Sequence, residues 1–128
     1  MFYEHEYSNG CPCGERFTGN CAHYLCNWLI KNGKIPKYPP KCSYYCDEGR
    51  PVRANDVKNV IFPSMGLKKL NYEPDGNCFI FCRNEKGERH VYYGTKDYAE
   101  AGTLCGEDME ANKYEFYAWN NINSNYLI

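Results

Sequence analysis

The chain lacks both an excess of one charge and a long apolar segment. Its 15 basic and 16 acidic side chains leave a net charge of -1, which gives no global field to attract nucleic acid or an acidic membrane surface. No apolar run approaches the roughly 18 residues of a membrane span, and the opening Met-Phe-Tyr-Glu does not read as a signal peptide. We therefore expect neither a nucleic-acid partner nor a membrane partner.

Cysteine, in contrast, is abundant, with nine residues in 128. So many in a small chain predict an oxidising, extracellular location and about four disulfides, and an odd count leaves one thiol free. Zinc is the alternative, because the cysteines include close pairs such as Cys11 with Cys13, Cys42 with Cys46, and Cys78 with Cys82. None of these pairs has the usual spacing of a zinc knuckle. The spacing therefore favours disulfides and no metal.

The stretch from Phe17 to Gly33, FTGNCAHYLCNWLIKNG, predicts an amphipathic helix that begins at Cys21. Thr18 or Asn20 can cap its start, and Gly33 stands where a left-handed C-terminal cap is expected. The helix has two apolar stripes, which predict that most of it is buried. A third stripe is polar and is predicted to face water: His23, Asn27 and Lys31.

Cys21 is placed at the positive end of this helix. The free amides there and the helix dipole stabilise a thiolate and lower the pKa of a cysteine. Counting alone favours a disulfide role for any one of nine cysteines. A cysteine that opens a buried helix is, however, typical of the nucleophile of papain-like thiol hydrolases. We identify Cys21 as the candidate nucleophile and as the cysteine that stays free.

The remaining patterns predict one α+β domain over residues 1–128. It has an irregular, disulfide-tethered arm (1–16), a catalytic core (17–119) and a loosely held tail (120–128). The proline-rich segment Lys34 to Pro51 predicts a stapled loop. The other predicted elements of the core are a short helix from Ala54 to Phe62 stopped by Pro63, a hairpin of Cys78 to Cys82 with Arg89 to Tyr93, and strands at Tyr98 to Ala101 and Tyr114 to Trp119.

A thiol nucleophile needs a base, and the chain has only His5, His23 and His90. His23 lies about 200° around the helix from Cys21, and His5 lies on the irregular arm. His90, near the start of a predicted strand, is therefore the candidate base. The backbone N–H of Cys21 would supply one oxyanion donor.

A third polar group usually orients the imidazole of such a pair. If the chain folds back around Thr95, the residue opposite His90 is near Ala101, and Glu100 is then the best candidate. Three other residues remain possible: Asp97, Asp108 and Asn120.

Three segments together resemble a known family: Gly19-Asn20-Cys21-Ala22-His23-Tyr24, Pro51-Val-Arg-Ala54 before a helix, and Arg89-His90-Val91 on a strand. The order resembles the small cysteine amidases related to the NlpC/P60 fold, in particular the second family of type VI secretion amidase effectors and their secreted descendants in ticks, the domesticated amidase effectors. The resemblance covers residues 17–119. It implies a papain-like fold, with Cys21 as nucleophile and His90 as general base.

The resemblance also implies hydrolysis of amide bonds in the stem peptides or cross-links of bacterial peptidoglycan. We therefore expect a secreted, monomeric, bacteriolytic amidase that needs no cofactor and no metal. Two other functions remain open. One is a papain-like protease or acyl transferase that acts on proteins, and the other is a non-enzymatic, disulfide-rich secreted binding module.

Overall fold

The computed structural model describes residues 11–14, 20–104 and 111–119. These residues form an α+β fold with an antiparallel five-stranded sheet and two helical segments. The predicted α+β class is thus confirmed. The predicted arm is described only at residues 11–14. The tail 120–128 lies outside the described residues, as do His5, Thr18 and Asp108.

The first helix, α1, is Cys21–Lys31, and the second helical segment consists of α2 (Ala54–Asp56), a π-helical turn (Val57–Ile61) and α3 (Phe62–Ser64). The strands are β1 (Lys68–Leu70), β2 (Cys78–Arg83), β3 (Arg89–Gly94), β4 (Ala99–Ala101) and β5 (Lys113–Ala118). Their order in the sheet is β1-β5-β2-β3-β4, and every neighbouring pair is antiparallel. In the described part of the chain, no helix combines the length and the apolarity that crossing a membrane requires.

Helix α1 starts and stops where the sequence predicts. The backbone N–H of Tyr24 donates to the carbonyl of Asn20 at 2.9 Å. At the other end Gly33 has φ of +70°, and the N–H of Lys34 donates back to the carbonyl of Leu29 at 2.9 Å. This left-handed glycine turn satisfies carbonyls that the helix leaves unpaired.

The polar stripe of α1 does not face water as predicted. His23 is 0 % exposed and Asn27 is 4 % exposed, and only Lys31 is exposed. The Asn27 amide donates to the His23 carbonyl at 2.8 Å, and the Asn20 amide oxygen lies 3.1 Å from His23 Nδ1. Because buried polar groups require such partners, these contacts allow α1 to bury this stripe.

The second helical segment does not stop at Pro63 but continues to Ser64. Proline in a regular α-helix clashes with the carbonyl four residues earlier and lacks an N–H. Here the wider π-helical turn Val57–Ile61 directly precedes α3, which contains Pro63 within its first two positions. The local widening accommodates the ring, so the proline lies inside the segment.

The main core lies between the helices and the sheet, and aromatic side chains fill much of it. Phe62 contacts Phe79 and Tyr117, with ring centroids 5.4 and 5.0 Å apart. Phe79 also contacts Tyr93 at 4.7 Å, and Trp28 of α1 stacks on Tyr93 at 5.3 Å. These rings fix α1 against β3.

Phe79→Ala is expected to lower the free energy of unfolding by about 3–5 kcal/mol, because Phe79 is fully buried at the centre of this cluster. Urea unfolding followed by circular dichroism measures the change. Tyr72→Ala is the matched control, since Tyr72 is 55 % exposed and its loss should change stability by about 0.5 kcal/mol or less. Equal destabilisation by the two substitutions would contradict this packing.

The four predicted disulfides are not confirmed. Cys82 is disulfide-bonded, but seven cysteines are free thiols: Cys11, Cys13, Cys21, Cys26, Cys42, Cys46 and Cys78. The loop 34–51 is held in part by hydrogen bonds instead. The Asp56 carboxylate accepts from the backbone N–H and the hydroxyl of Ser43, each at 3.0 Å, and from the N–H of Tyr44 at 3.3 Å. A free thiol therefore does not distinguish Cys21 from the other cysteines.

Candidate active site

Cys21 is the first residue of α1 and lies against β3. Its thiol hydrogen-bonds to the side chain of His90, and the backbone N–H groups of Val91 and Ala22 also donate to its sulfur. Strand β4 pairs only with Tyr93 and Gly94 of β3. Strand β4 therefore does not pair with Val91, whose N–H donates to Cys21 instead. The start of α1 thus brings the two predicted catalytic residues together.

The partner of the His90 imidazole on its other side is Thr103. His90 Nε2 lies 2.6 Å from the Thr103 carbonyl oxygen and 3.5 Å from the Thr103 hydroxyl. A carbonyl oxygen only accepts, so Nε2 carries the proton of the neutral ring. Nδ1 is then the nitrogen that can exchange a proton with Cys21.

Glu100 does not occupy the orienting position predicted for it. It is exposed on β4, and no described hydrogen bond involves its carboxylate. The strand register explains the difference: Ala101 lies opposite Tyr93 rather than opposite His90, so the chain reaches His90 only at Thr103. Asp97, an alternative, is exposed in the turn before β4, where its N–H donates to the Thr95 hydroxyl at 3.2 Å.

Glu100→Gln is therefore expected to leave the rate of substrate hydrolysis within about twofold of the wild-type rate, because the carboxylate does not touch the reacting groups. The measurement is the initial rate of the hydrolysis proposed below. Asp97→Asn, a second exposed acidic residue of the same region, is the matched control. A tenfold or greater loss confined to Glu100→Gln would restore Glu100 to the catalytic group.

The environment of Cys21 favours its thiolate. Burial raises the pKa of the thiol, but the hydrogen bond and positive charge of His90, with the N–H groups of Val91 and Ala22, lower it further, and the net pKa lies below the usual value. This agrees with the effect predicted from the helix start.

Other free thiols show the opposite shift. Burial, with the charge of Asp56, raises the pKa of Cys42 to about 11, and burial, with the charge of Glu73, raises the pKa of Cys78 to about 12. Cys26, fully buried in the core, has a pKa well above its usual value. The direction of its pKa shift therefore distinguishes Cys21 from these cysteines, whereas the absence of a disulfide does not.

A second group of reactive side chains lies near the start of α1. The sequence predicts disulfides for Cys11, Cys13 and Cys46 and a surface position for His23. The structure instead brings all four side chains together, with their potential metal-ligand atoms within 4.8 Å of one another. Burial, and then the charge of Arg50, lower the pKa of His23 to about 4. The imidazole is therefore neutral near pH 7.

No protein-family model, curated protein or solved structure matches this chain. The functional assignment therefore depends on the contacts of Cys21, His90 and Thr103 and on the sequence resemblance. Chemically, a thiolate at a helix start can attack an acyl carbon, and the protonated imidazole beside it can donate its proton to the leaving group.

Proposed function

We propose that the protein is a secreted peptidoglycan amidase with a papain-like, NlpC/P60-like core and a bacteriolytic role. The observation that carries this proposal is the hydrogen bond between the Cys21 thiol and the His90 side chain at the start of α1. The contact of His90 Nε2 with Thr103 supports it, because it leaves Nδ1 as the base. The substrate class comes from the resemblance alone: amide bonds of stem peptides or their cross-links.

The proposed reaction is acyl transfer in two steps. The Cys21 thiolate attacks the carbonyl carbon of the amide, and the backbone N–H of Cys21 stabilises the oxyanion. His90 then protonates the leaving amine as the C–N bond breaks, which leaves a thioester. Water attacks this thioester with His90 as the base, and the free carboxylic acid and the Cys21 thiolate are released. The Thr103 carbonyl holds the imidazole throughout.

The same pair of residues could serve a protease or an acyl transferase that acts on proteins, so the substrate is what separates this candidate from the amidase. The binding-module alternative receives less support. Such a module would be a scaffold held by many disulfides, whereas seven cysteines are free thiols. A binding module also gives no reason for a lowered pKa at Cys21.

The decisive experiment incubates the protein with purified sacculi and identifies the released muropeptides by mass spectrometry. The Cys21→Ser variant is the negative control, and Cys42→Ser is the matched positive control. Both a diaminopimelate-type and a lysine-type wall are used, with unfolded casein in parallel. Stem peptides with a new carboxyl terminus, absent with Cys21→Ser, would establish the amidase and name the bond. Cleavage of casein alone would assign the protease, and no cleavage of either would refute the hydrolase.

A further inference from the structure

The second side-chain group lies outside the catalytic pair and joins three segments of the chain. Cys11 and Cys13 belong to the described piece of the arm, His23 to the first turn of α1, and Cys46 to the loop after α1. Cys11, Cys46 and His23 are buried, at 6 %, 5 % and 0 % exposure. Three thiols and one imidazole are thus gathered from distant positions into one interior site.

Two distances within this group match those of a metal site, and all four ligand atoms lie within 4.8 Å of one another. Two sulfurs bound tetrahedrally to one zinc at about 2.3 Å are about 3.8 Å apart, and a sulfur and an imidazole nitrogen are about 3.5 Å apart. The Cys11 and Cys46 sulfurs are 3.7 Å apart, and the Cys13 sulfur is 3.6 Å from His23 Nε2. Both distances are therefore those that a shared zinc ion would impose.

The backbone around two of the cysteines is shaped alike. The sequences Cys11-Pro-Cys-Gly14 and Cys46-Asp-Glu-Gly49 both form turns in which the glycine N–H donates to the cysteine carbonyl, at 3.3 and 3.0 Å. The glycines have φ of +67° and +77°, a conformation that costs other residues more. Glycine thus allows the chain to form two similar Cys-x-x-Gly turns, which carry cysteines of the same side-chain group.

Backbone donors also converge on the Cys46 sulfur. The N–H groups of Glu48 and Arg50 each lie 3.4 Å from it. Outer hydrogen bonds of this kind hold a metal ligand in position. The Cys46 sulfur is thus oriented by the backbone of its own loop.

The imidazole of His23 is oriented for ligation. Its Nδ1 lies 3.1 Å from the amide oxygen of Asn20, and since that oxygen only accepts, Nδ1 carries the proton. The lone pair is then on Nε2, the atom that faces Cys13. Metal-bound histidines characteristically donate their other nitrogen in this way.

The charge of the surroundings also fits. A zinc ion with three thiolates carries one net negative charge. Arg50 is 3 % exposed and close enough to influence His23, and its Nε has no hydrogen-bond partner in the part of the chain that the structure describes. Its ion pair with Glu48, at 3.7 Å, is partly exposed. Burying a cation is costly without a nearby opposite charge, and the anionic centre would supply one.

We propose that Cys11, Cys13, His23 and Cys46 form a tetrahedral zinc site. Four protein ligands leave no open position, so the zinc is structural rather than catalytic. It ties the arm and the loop 46–50 to the first turn of α1, next to Cys21. The inference does not depend on the proposed hydrolase activity, and it reverses the expectation of disulfides at these three cysteines.

The test uses the full chain, purified with a reductant, loaded with one equivalent of zinc and dialysed. We expect one zinc per chain by elemental analysis. Three thiols should resist a thiol reagent until a chelator is added. Replacement by cobalt should give the strong red-region bands of tetrahedral Co²⁺ with thiolate-to-cobalt charge transfer in the near ultraviolet. These wild-type signatures do not require a variant to fold.

Variants then assign the ligands. Cys46→Ser should weaken metal binding on the order of 100-fold or more, because even loss of an outer hydrogen bond costs 10- to 100-fold. Cys42→Ser, the matched control outside the group, should retain the wild-type stoichiometry and cobalt spectrum. Substoichiometric zinc in the wild type, equal loss in both variants, or a Cys11–Cys46 disulfide in the protein purified without reductant would overturn the proposal.

Discussion

Cys21→Ser is expected to reduce the hydrolysis of peptidoglycan by about 10⁴-fold or more, because removal of a nucleophile eliminates the covalent route. Serine keeps the size and the hydrogen-bonding capacity of the side chain. The His90 contact and the N–H groups of Val91 and Ala22 lower the pKa of the Cys21 thiol. The same contacts do not make a serine hydroxyl a strong nucleophile. The measurement is the initial rate of muropeptide release from sacculi.

This loss should occur without unfolding. Cys21 is half-buried at the helix start, so the thermal midpoint of Cys21→Ser should remain close to that of the wild type. Cys42→Ser controls for the general effect of removing a half-buried thiol and should retain activity. Turnover by Cys21→Ser comparable with that of Cys42→Ser would show that another group is the nucleophile.

His90→Ala should be nearly as damaging as loss of Cys21, because it removes both the base and the proton donor. It should also alter Cys21 itself. With His90 absent, burial remains as the largest influence, so the pKa of Cys21 rises. The thiolate fraction at pH 7 then falls about tenfold for each unit by which the pKa rises. Alkylation of Cys21 by iodoacetamide, resolved by peptide mass spectrometry, should slow accordingly.

The alkylation readout needs no substrate and separates the electrostatic role of His90 from catalysis. Cys42 and Cys78 serve as internal references, because burial raises the pKa of both and they should react slowly in wild type and variant alike. Glu100→Gln should leave the alkylation of Cys21 unchanged. If His90→Ala left both the hydrolysis rate and the Cys21 alkylation rate unaltered, the pair of residues would have no functional connection.

The sequence was sufficient where the determinants are local. Helix α1 was predicted from its apolar stripes and from Gly33, and the hairpin of β2 and β3 from two apolar runs around a glycine turn. Strand β1 was missed because it has only three residues, two of them exposed lysines, and its pairing with β5 is distant in sequence. The hydrophobic period and the caps of a helix depend on residues that are close in sequence, whereas the pairing of β1 with β5 does not.

The sequence also identified the two residues whose chemistry matters most for the proposed site. Cys21 is recognisable because it opens a buried helix, and His90 because so few bases are available. Their orienting partner was not recognisable. Thr103 contributes a backbone carbonyl, which every residue possesses, and the strand register that brings it to His90 depends on pairing between β3 and β4.

By itself, then, the sequence determined the α+β class, the position of α1 and the thiol–imidazole pair, since each follows from short-range pattern or from the scarcity of a residue type. Only the tertiary structure decided what surrounds them. It placed His23 in the interior and brought it to Cys11, Cys13 and Cys46, although the spacing of these residues matches no familiar zinc motif. Sequence spacing reveals metal ligands most readily when they lie within one turn of each other. These ligands are instead spread over 35 residues, from Cys11 to Cys46.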